Sequence, residues 1–391
     1  MVNSIASEVY AGRVTKDKTS SELALLIGKQ LFNEVKKTLK TSISEAESEH
    51  RQRWLNRIHN NIYSFSTAKS YDEMKQFRDA VFDDNGKPVS SEEFKQRVQA
   101  ISELQNHAYL ETERQAVVRG TVMGDKWIDI EEQADVAPYL EYVTAGDSHV
   151  REEHAELAGI IEPVDSPFWE QYYPPNGWNC RCSVRQLTER EAIHKGYKPK
   201  TNDNMKLAGK EVDDKYWRHN AGKGVVFDED RTAYFESAPG KGKKQLKAVD
   251  NYGMKTPEEI YADPSKMPNI NQVDFDEFVK NYSENGIMKI EDPQGFNLSF
   301  DESFFDHLKK SKHTEEIGEL LNVASQPDEV WEHFKSGLKY KGEFFRTYIK
   351  YYEETPIVLL VDEANRARTF YKLKNKKDVA DFRTGVLTDK K

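Results

Sequence analysis

The stretch from Val143 to Gln186 holds both cysteines of the chain, two of its ten histidines, two of its six tryptophans and its only Pro-Pro pair. Reactive and bulky residue types gathered in so short a span constrain the local fold more than any other feature of the sequence. Asp147, Arg151 and His154 stand four and three residues apart, so their spacing predicts a shared helix face. Asp147 is placed to cap the N-terminus of that helix, and His149 falls on a different face. After Gly159 the chain passes Pro163 and Pro167, gathers Phe168, Trp169, Tyr172 and Tyr173, and turns at Pro174-Pro175-Asn176-Gly177 into Cys180-Arg181-Cys182. Alternate residues of a strand point the same way, so both thiols can face one partner.

Three readings of this constellation stay open at this level. Cys180, Cys182 and His154, with Asp147 or His149, offer a donor set for tetrahedral zinc, because thiolate and imidazole suit that metal. Against it, the Cys-x-Cys step lacks the two intervening residues of familiar zinc motifs. Alternatively the cysteines are small buried hydrophobes, and Asp147, Arg151 and His154 form a structural hydrogen-bond cluster. A disulfide within Cys-x-Cys would be strained and is the weakest of the three.

Asp147, Arg151, His154, Leu157, Gly159, Phe168, Pro174, Pro175, Cys180, Arg181 and Cys182 together form a pattern that resembles the bacteriophage Mu F-like minor head (head morphogenesis) family. Ala158 stands in place of the usual acidic residue, and Gly177-Trp178-Asn179 replaces a histidine-proline step. The Thr112-Glu113 pair resembles the step that precedes this motif in the family, although a polar helix face explains it equally well. Tyr216 to Gly224 resembles the Asn-Pro-Gly segment near the end of the head domain, with Ala221 for proline. Basic and glycine-rich, this segment reads as a surface loop, with a phosphate cradle as the sharper alternative.

With 391 residues the chain is long enough for two or three domains. A net charge of -10 argues against a protein that coats nucleic acid along its whole length. Two cysteines in one loop exclude a disulfide framework and fit a reducing compartment. The longest apolar run, Ile357 to Val361, is far too short for a membrane span, and the first residues carry no signal-peptide core, so no membrane insertion is expected.

The expected architecture is multidomain α+β. Residues 1–130 read as mostly helical: Ser90 with Glu93 forms a capping pattern, and Phe94, Val98, Ile101 and Leu104 recur at helical spacing as a core stripe. Tyr139 to Val143 reads as a strand, and Gln186 to Tyr197 as a helix stopped by Gly196. The head core is assigned to 131–235, and the segment Ser237 to Lys244 opens a linker and connecting region over 236–290. From 291 to the end, Phe304, Phe305 and Leu308 predict one helix and Ile317, Leu320 and Leu321 a second. Strand-like runs follow at Phe345–Tyr352, Pro356–Asp362 and Thr369–Leu373, which together imply an antiparallel sheet.

This last region resembles the phage-encoded relatives of barnase, EndoU, colicin E5/D and RelE, small metal-independent ribonucleases. The resemblance rests on His307, Pro327 to Trp331, Phe345 to Lys350, Thr369 with Tyr371, and Arg383-Thr384-Gly385; Thr388 lies where an aromatic residue often ends the pattern. RNA cleavage through its own 2'-hydroxyl needs a base, an acid and cations around the phosphorane. His307 suits proton transfer, Lys350, Arg346 and Arg383 suit the phosphate, and Thr369 can donate a hydrogen bond. His313 and His333 are rival bases, and a histidine beside phenylalanines is more often a packing residue. Arg366 to Lys377 carries six basic residues and no acid, interleaved with Phe370 and Tyr371, as a single-stranded nucleic-acid surface would.

The resemblances imply a phage or prophage minor head protein that acts in capsid assembly near the portal and carries a ribonuclease-like toxin domain. They imply portal and capsid partners, RNA as substrate, contact with packaged DNA, and a place in the virion head and the host cytoplasm. No cofactor is expected for the nuclease, and a structural zinc is the candidate for the head domain. A purely structural head protein, whose C-terminal domain binds without catalysis, is the alternative. A zinc enzyme centred on His154 ranks last, because no His-Glu-x-x-His motif is present.

Overall fold

The computed structural model describes residues 2–14, 18–40, 48–212, 217–229, 232–236, 252–334 and 342–391. Five helices come first: α1 (Val2–Tyr10), α2 (Ser21–Leu39), α3 (Glu49–Asp79), α4 (Ser91–Glu103) and α5 (Leu110–Glu132). Serine hydroxyls start three of them, Ser20 accepting from Leu23 N, Ser48 from Arg51 N and Ser90 from Glu93 N. A π-helical turn over Leu104–Tyr109 joins α4 to α5. The predicted stripe holds for Phe94 and Val98, which are buried, but Leu104 is exposed where the π turn begins and the helical phase changes.

Most of α3 is buried, and its polar residues therefore need internal partners. Ser66 and Thr67 donate to the carbonyls four residues back. Lys69 Nζ donates to Gln105 O at 2.8 Å, in the π turn, and to Glu113 at 2.6 Å. Glu113 is thus a buried ion-pair partner and not part of a solvated face. Neighbouring Glu73 accepts from Asn106 through one oxygen, and its other oxygen is buried with no hydrogen-bond partner among the described residues.

The middle of the chain forms β1 (Tyr139–Val143), α6 (Glu152–Ala155), β2 (Ile161–Pro163), α7 (Pro167–Tyr172), β3 (Ser183–Leu187), α8 (Glu189–His194) and α9 (Thr201–Glu211). The strands make an antiparallel sheet in the order β2-β1-β3. Leu140 and Tyr142, alternate residues of β1, pack with Phe168, Trp169, Tyr173 and both cysteines against Met123 and Trp127 of α5. Where a helix was expected from Gln186, β3 runs on through Leu187, and α8 starts only after Thr188 closes a reciprocal capping box with Glu191.

The segment read as a surface loop is buried instead, and it serves packing. Trp217, Asn220 and Ala221 are at most 2 % exposed, and the carbonyl of Ala221 accepts from Trp54 Nε1. A side chain on Gly222 would stand 2.1 Å from Trp127, so close approach explains the glycine. Tyr216 of that segment, and the linker from Ser237 to Lys244, lie outside the described residues.

Short helices α10 (Ala233–Glu236) and α11 (Pro257–Ile260) lead to α12 (Phe275–Tyr282), β4 (Met288–Glu291), β5 (Asn297–Phe300), α13 (Glu302–Ser311) and α14 (Leu320–Ser325). Then come β6 (Glu329–Phe334), β7 (Phe344–Lys350), β8 (Ile357–Asp362), β9 (Ala367–Lys372) and β10 (Val386–Lys390). These last five form an antiparallel sheet in the order β10-β6-β7-β8-β9. The molecule is an α+β protein of several layers. Phe304, Phe305 and Leu308 of α13 face inward as predicted, and so do Ile317 and Leu320.

One face of the five-stranded sheet, with Val330, Tyr348, Leu359 and Phe370, shares a single core with α13, α14, α2 and α3. The other, with Trp331, Phe345, Ile349 and Leu360, packs on Tyr252 and its neighbours. Polar groups are buried in the first core. Arg346 Nη2 lies 2.6 Å from both Glu332 and Asn56 Oδ1, and its guanidinium stands 3.9 Å from the Phe296 ring centroid. His59 Nδ1 is 2.8 Å from Glu332 Oε1, and Asp292 accepts from Tyr348 at 2.6 Å. Burial holds the His59 imidazole below its ordinary pKa, against the pull of Glu332 beside it. Burial pushes Glu332 up, yet His59 and Arg346 outweigh it and hold the carboxylate below its usual range.

Two outcomes test this packing. Arg346→Ala leaves Glu332 and Asp292 buried without their cation, and urea denaturation of the full chain should show a loss of about 3–5 kcal/mol. Burial raises Glu73 to about 7, so the fold favours its protonated form. Its contribution is complete below the unfolded value near 4.5 and fades as pH rises through about 7. Glu73→Gln should therefore stabilise the chain by roughly 1–3 kcal/mol at pH 8 and by far less at pH 5, read as paired urea midpoints.

Candidate functional site

Cys180-Arg181-Cys182 is an extended segment just before β3, and its alternation sends both thiols inward and Arg181 out. Inside, His154 Nδ1 lies 3.7 Å from Cys180 Sγ and 3.7 Å from Cys182 Sγ. All three residues are buried and their donor atoms lie within 4.8 Å of one another. Outside, Arg181 makes a bidentate pair with Asp147, both bonds 2.6 Å. This pair fastens the cysteine segment to the turn that precedes His154.

The predicted helix from Asp147 to His154 does not form. Gly146 takes a positive φ, Asp147 accepts from His149 N in a local turn, and helix begins only at Glu152. The three expected partners therefore separate: Asp147 goes to Arg181, Arg151 donates to Trp178 O at 2.6 Å, and His154 meets the cysteines. Gly177 permits the Arg151 contact, since a side chain there would stand 2.6 Å from Nη1. His149 is exposed on the turn, outside the thiol and imidazole cluster.

The Arg181 guanidinium holds Asp147 down at about 2, with help from the His149 amide. A hydrogen bond from Cys182 draws Cys180 down to about 4 against its burial, aided by His154; the same contact and burial push Cys182 up. Beside the cluster opens a cavity of about 590 Å³, bounded by the 147–151 turn, the cysteine segment and Arg119 of α5. Arg119 has no ion-pair partner among the described residues, and sequence reasoning passed over it because it lies in an ordinary polar helix pattern.

The nuclease-like residues are distributed over both faces of the five-stranded sheet. Arg346 and Lys350 share one face of β7; Arg346 is enclosed by α3, and Lys350 donates to Gln326 O. Thr369 pairs in register with Leu360, which belongs to the opposite face. Arg383 also lies there, paired through both nitrogens with Glu329 and donating to Lys255 O at 2.6 Å. His307 is exposed on the outer side of α13, and His313 packs on Tyr371. The structure thus brings Arg346 and Lys350 to one face, and unites neither with His307, Thr369 or Arg383. Sequence reasoning gave no role to the buried acids Glu329, Glu332 and Asp292, which partner Arg346 and Arg383, because acidic residues read as solvent-facing.

The basic run also differs from a bare cationic surface. Arg366 and Arg368 pair with Asp362, Lys372 with Glu354, and Lys377 with Glu258. Phe370 is fully buried, so it cannot stack on a base.

Residues 75–185 match the family model described as Phage Mu protein F like protein, and residues 277–388 match that of phage-Barnase-EndoU-ColicinE5/D-RelE like nuclease2. The chain is 51% identical over 55 residues to the putative capsid assembly protein F of Escherichia phage Mu, covering 14% of this chain and 12% of that protein. It is 42% identical over 72 residues to the Mu-like prophage FluMu F protein of Haemophilus influenzae, covering 18% and 17% respectively. The chain therefore matches less than a fifth of the length of either relative. No solved structure matches it. No helix among the described residues is long and apolar enough to cross a membrane. On one chain, a segment that matches the Mu F-like family model precedes a segment that matches the phage nuclease-like model.

Proposed function

We propose that the protein is a minor head component that assembles with portal and capsid proteins and carries its C-terminal domain, as a metal-independent endoribonuclease effector, into a recipient cell. The observation that carries this reading is the union of the two family matches on one chain. The division into a head part ending near 235 and an effector part from about 291 belongs to the proposal. So do the virion head and the host cytoplasm as its places, RNA as substrate, and contact with packaged DNA.

Among the expected catalytic residues His307 is the one whose ring is exposed to solvent, and it takes the role of general base or acid. Arg346, Lys350 and Arg383 are already engaged by protein groups, so phosphate binding at these positions requires those contacts to open. That observation favours a second reading, in which the C-terminal domain is a structural or binding module without catalysis.

Cleavage assays with the full chain separate the two, since the N-terminal helices share a core with the C-terminal sheet and a fragment would expose it. Activity on RNA that survives EDTA and falls by about 10²–10⁴ in His307→Ala is expected from the effector reading. Failure to cleave any RNA across a panel of transfer, ribosomal and synthetic substrates sinks it and leaves the structural reading.

A further inference from the structure

We propose that His154 Nδ1, Cys180 Sγ and Cys182 Sγ hold a zinc ion whose fourth position opens onto the adjoining cavity. Zinc bonds of about 2.3 Å to sulfur and about 2.0–2.1 Å to nitrogen, at a tetrahedral angle, set sulfur and nitrogen about 3.6 Å apart. Both observed separations are 3.7 Å. The convergence needs no rearrangement of the chain, because the extended Cys-Arg-Cys segment already presents both thiols to one imidazole. Hydrogen bonding alone explains the cluster less well. It leaves His154 Nε2 buried without a hydrogen-bond partner among the described residues, beside a Glu153 carboxylate oxygen at 3.8 Å. A metal-bound imidazole characteristically donates its remaining N–H to such a carboxylate, and a small rotation of the half-exposed Glu153 side chain would close that bond.

The same geometry fixes what the fourth ligand is not. Asp147 spends both oxygens on Arg181, and His149 lies outside the convergent set. Asp147 still matters indirectly, since its pair with Arg181 positions the cysteine segment from outside. Two thiolates and a neutral imidazole cancel the charge of the ion, so the buried site becomes neutral. Arg119, with no ion-pair partner among the described residues, and Arg151, bonded to a carbonyl, face the cavity from two sides. The open position therefore suits hydroxide or another small anion.

Elemental analysis of the full chain, after dialysis against zinc and then buffer, should find stoichiometric zinc. Titration with p-hydroxymercuribenzoate should release it in step with loss of the two thiols, a measurement that needs no variant. Cys180→Ser and Cys182→Ser should lose the metal while circular dichroism reports folded protein, whereas His149→Ala should keep it. Cobalt(II) in place of zinc should give sulfur-to-metal charge-transfer bands, and azide should shift its ligand-field bands. Folded protein that takes up no zinc overturns the proposal, and so does zinc retained by the double serine variant. Zinc lost in His149→Ala, or cobalt bands indifferent to azide, overturns the open fourth position.

Discussion

A buried guanidinium, two carboxylates and an imidazole lie where three parts of the chain meet. Arg346 comes from β7, Glu332 from β6, Asp292 from the turn after β4, and His59 from α3. Taking such ions out of water costs several kcal/mol each, and only mutual pairing offsets it. The cluster is therefore tolerable in one arrangement alone, with helix, hairpin and sheet all in place. The apolar core around it supplies the drive to associate, and the charges select the register of association. Asn56 extends this selection, donating to Glu363 O and Asn365 Oδ1 and accepting from Arg346. The N-terminal helices and the C-terminal sheet are for this reason one packed body at α3.

The same logic governs the other face of the sheet. Arg383 and Glu329 are both nearly enclosed, with Trp331 Nε1 and Tyr351 OH donating to the carboxylate. Arg383 also holds the carbonyl of Lys255, so it clasps the preceding segment onto the sheet. Tyr252 completes that clasp, meeting Thr67 of α3 at 3.1 Å and stacking edge-on with Trp331. Residues placed by sequence resemblance at a phosphate site thus hold the architecture together, and His307 stands apart from that duty.

Legibility in the sequence followed the physics of each segment. The helical character of the first 130 residues was readable, and so were α4, β1 and the strands β7 to β9, because their apolar residues keep a regular period. Strands β6 and β10 were missed because Glu329, Glu332 and Asp389 interrupt the alternation; two of them are buried charges that look like surface residues until their partners are seen. The meeting of His154 with both cysteines was legible from residue type and alternation. The helix proposed to carry it was not, since an aspartate one residue after a glycine formed a local turn in competition with helix. Composition misled most at Gly222, where a basic, glycine-rich segment turned out to be packing material.

That segment also explains how two separate cores coexist. Trp54 belongs to the core shared with the C-terminal sheet, and Trp127 to the core beneath the cysteines. Between them passes the backbone of Ala221 and Gly222, bonded to one indole and pressed against the other. Helix α5 spans the same boundary, turning Val117 and Ile128 to the first core and Met123 and Ile130 to the second. A side chain at position 222 would push Trp127 away and strain both at once, because close-packed interiors absorb added volume poorly. The cysteine cluster borders the second core, where both thiols pack with Leu140 and Tyr142. Its geometry is set by β1, β3 and the Asp147–Arg181 pair, and Trp178, two residues before Cys180, ties it to Trp217 of the first core.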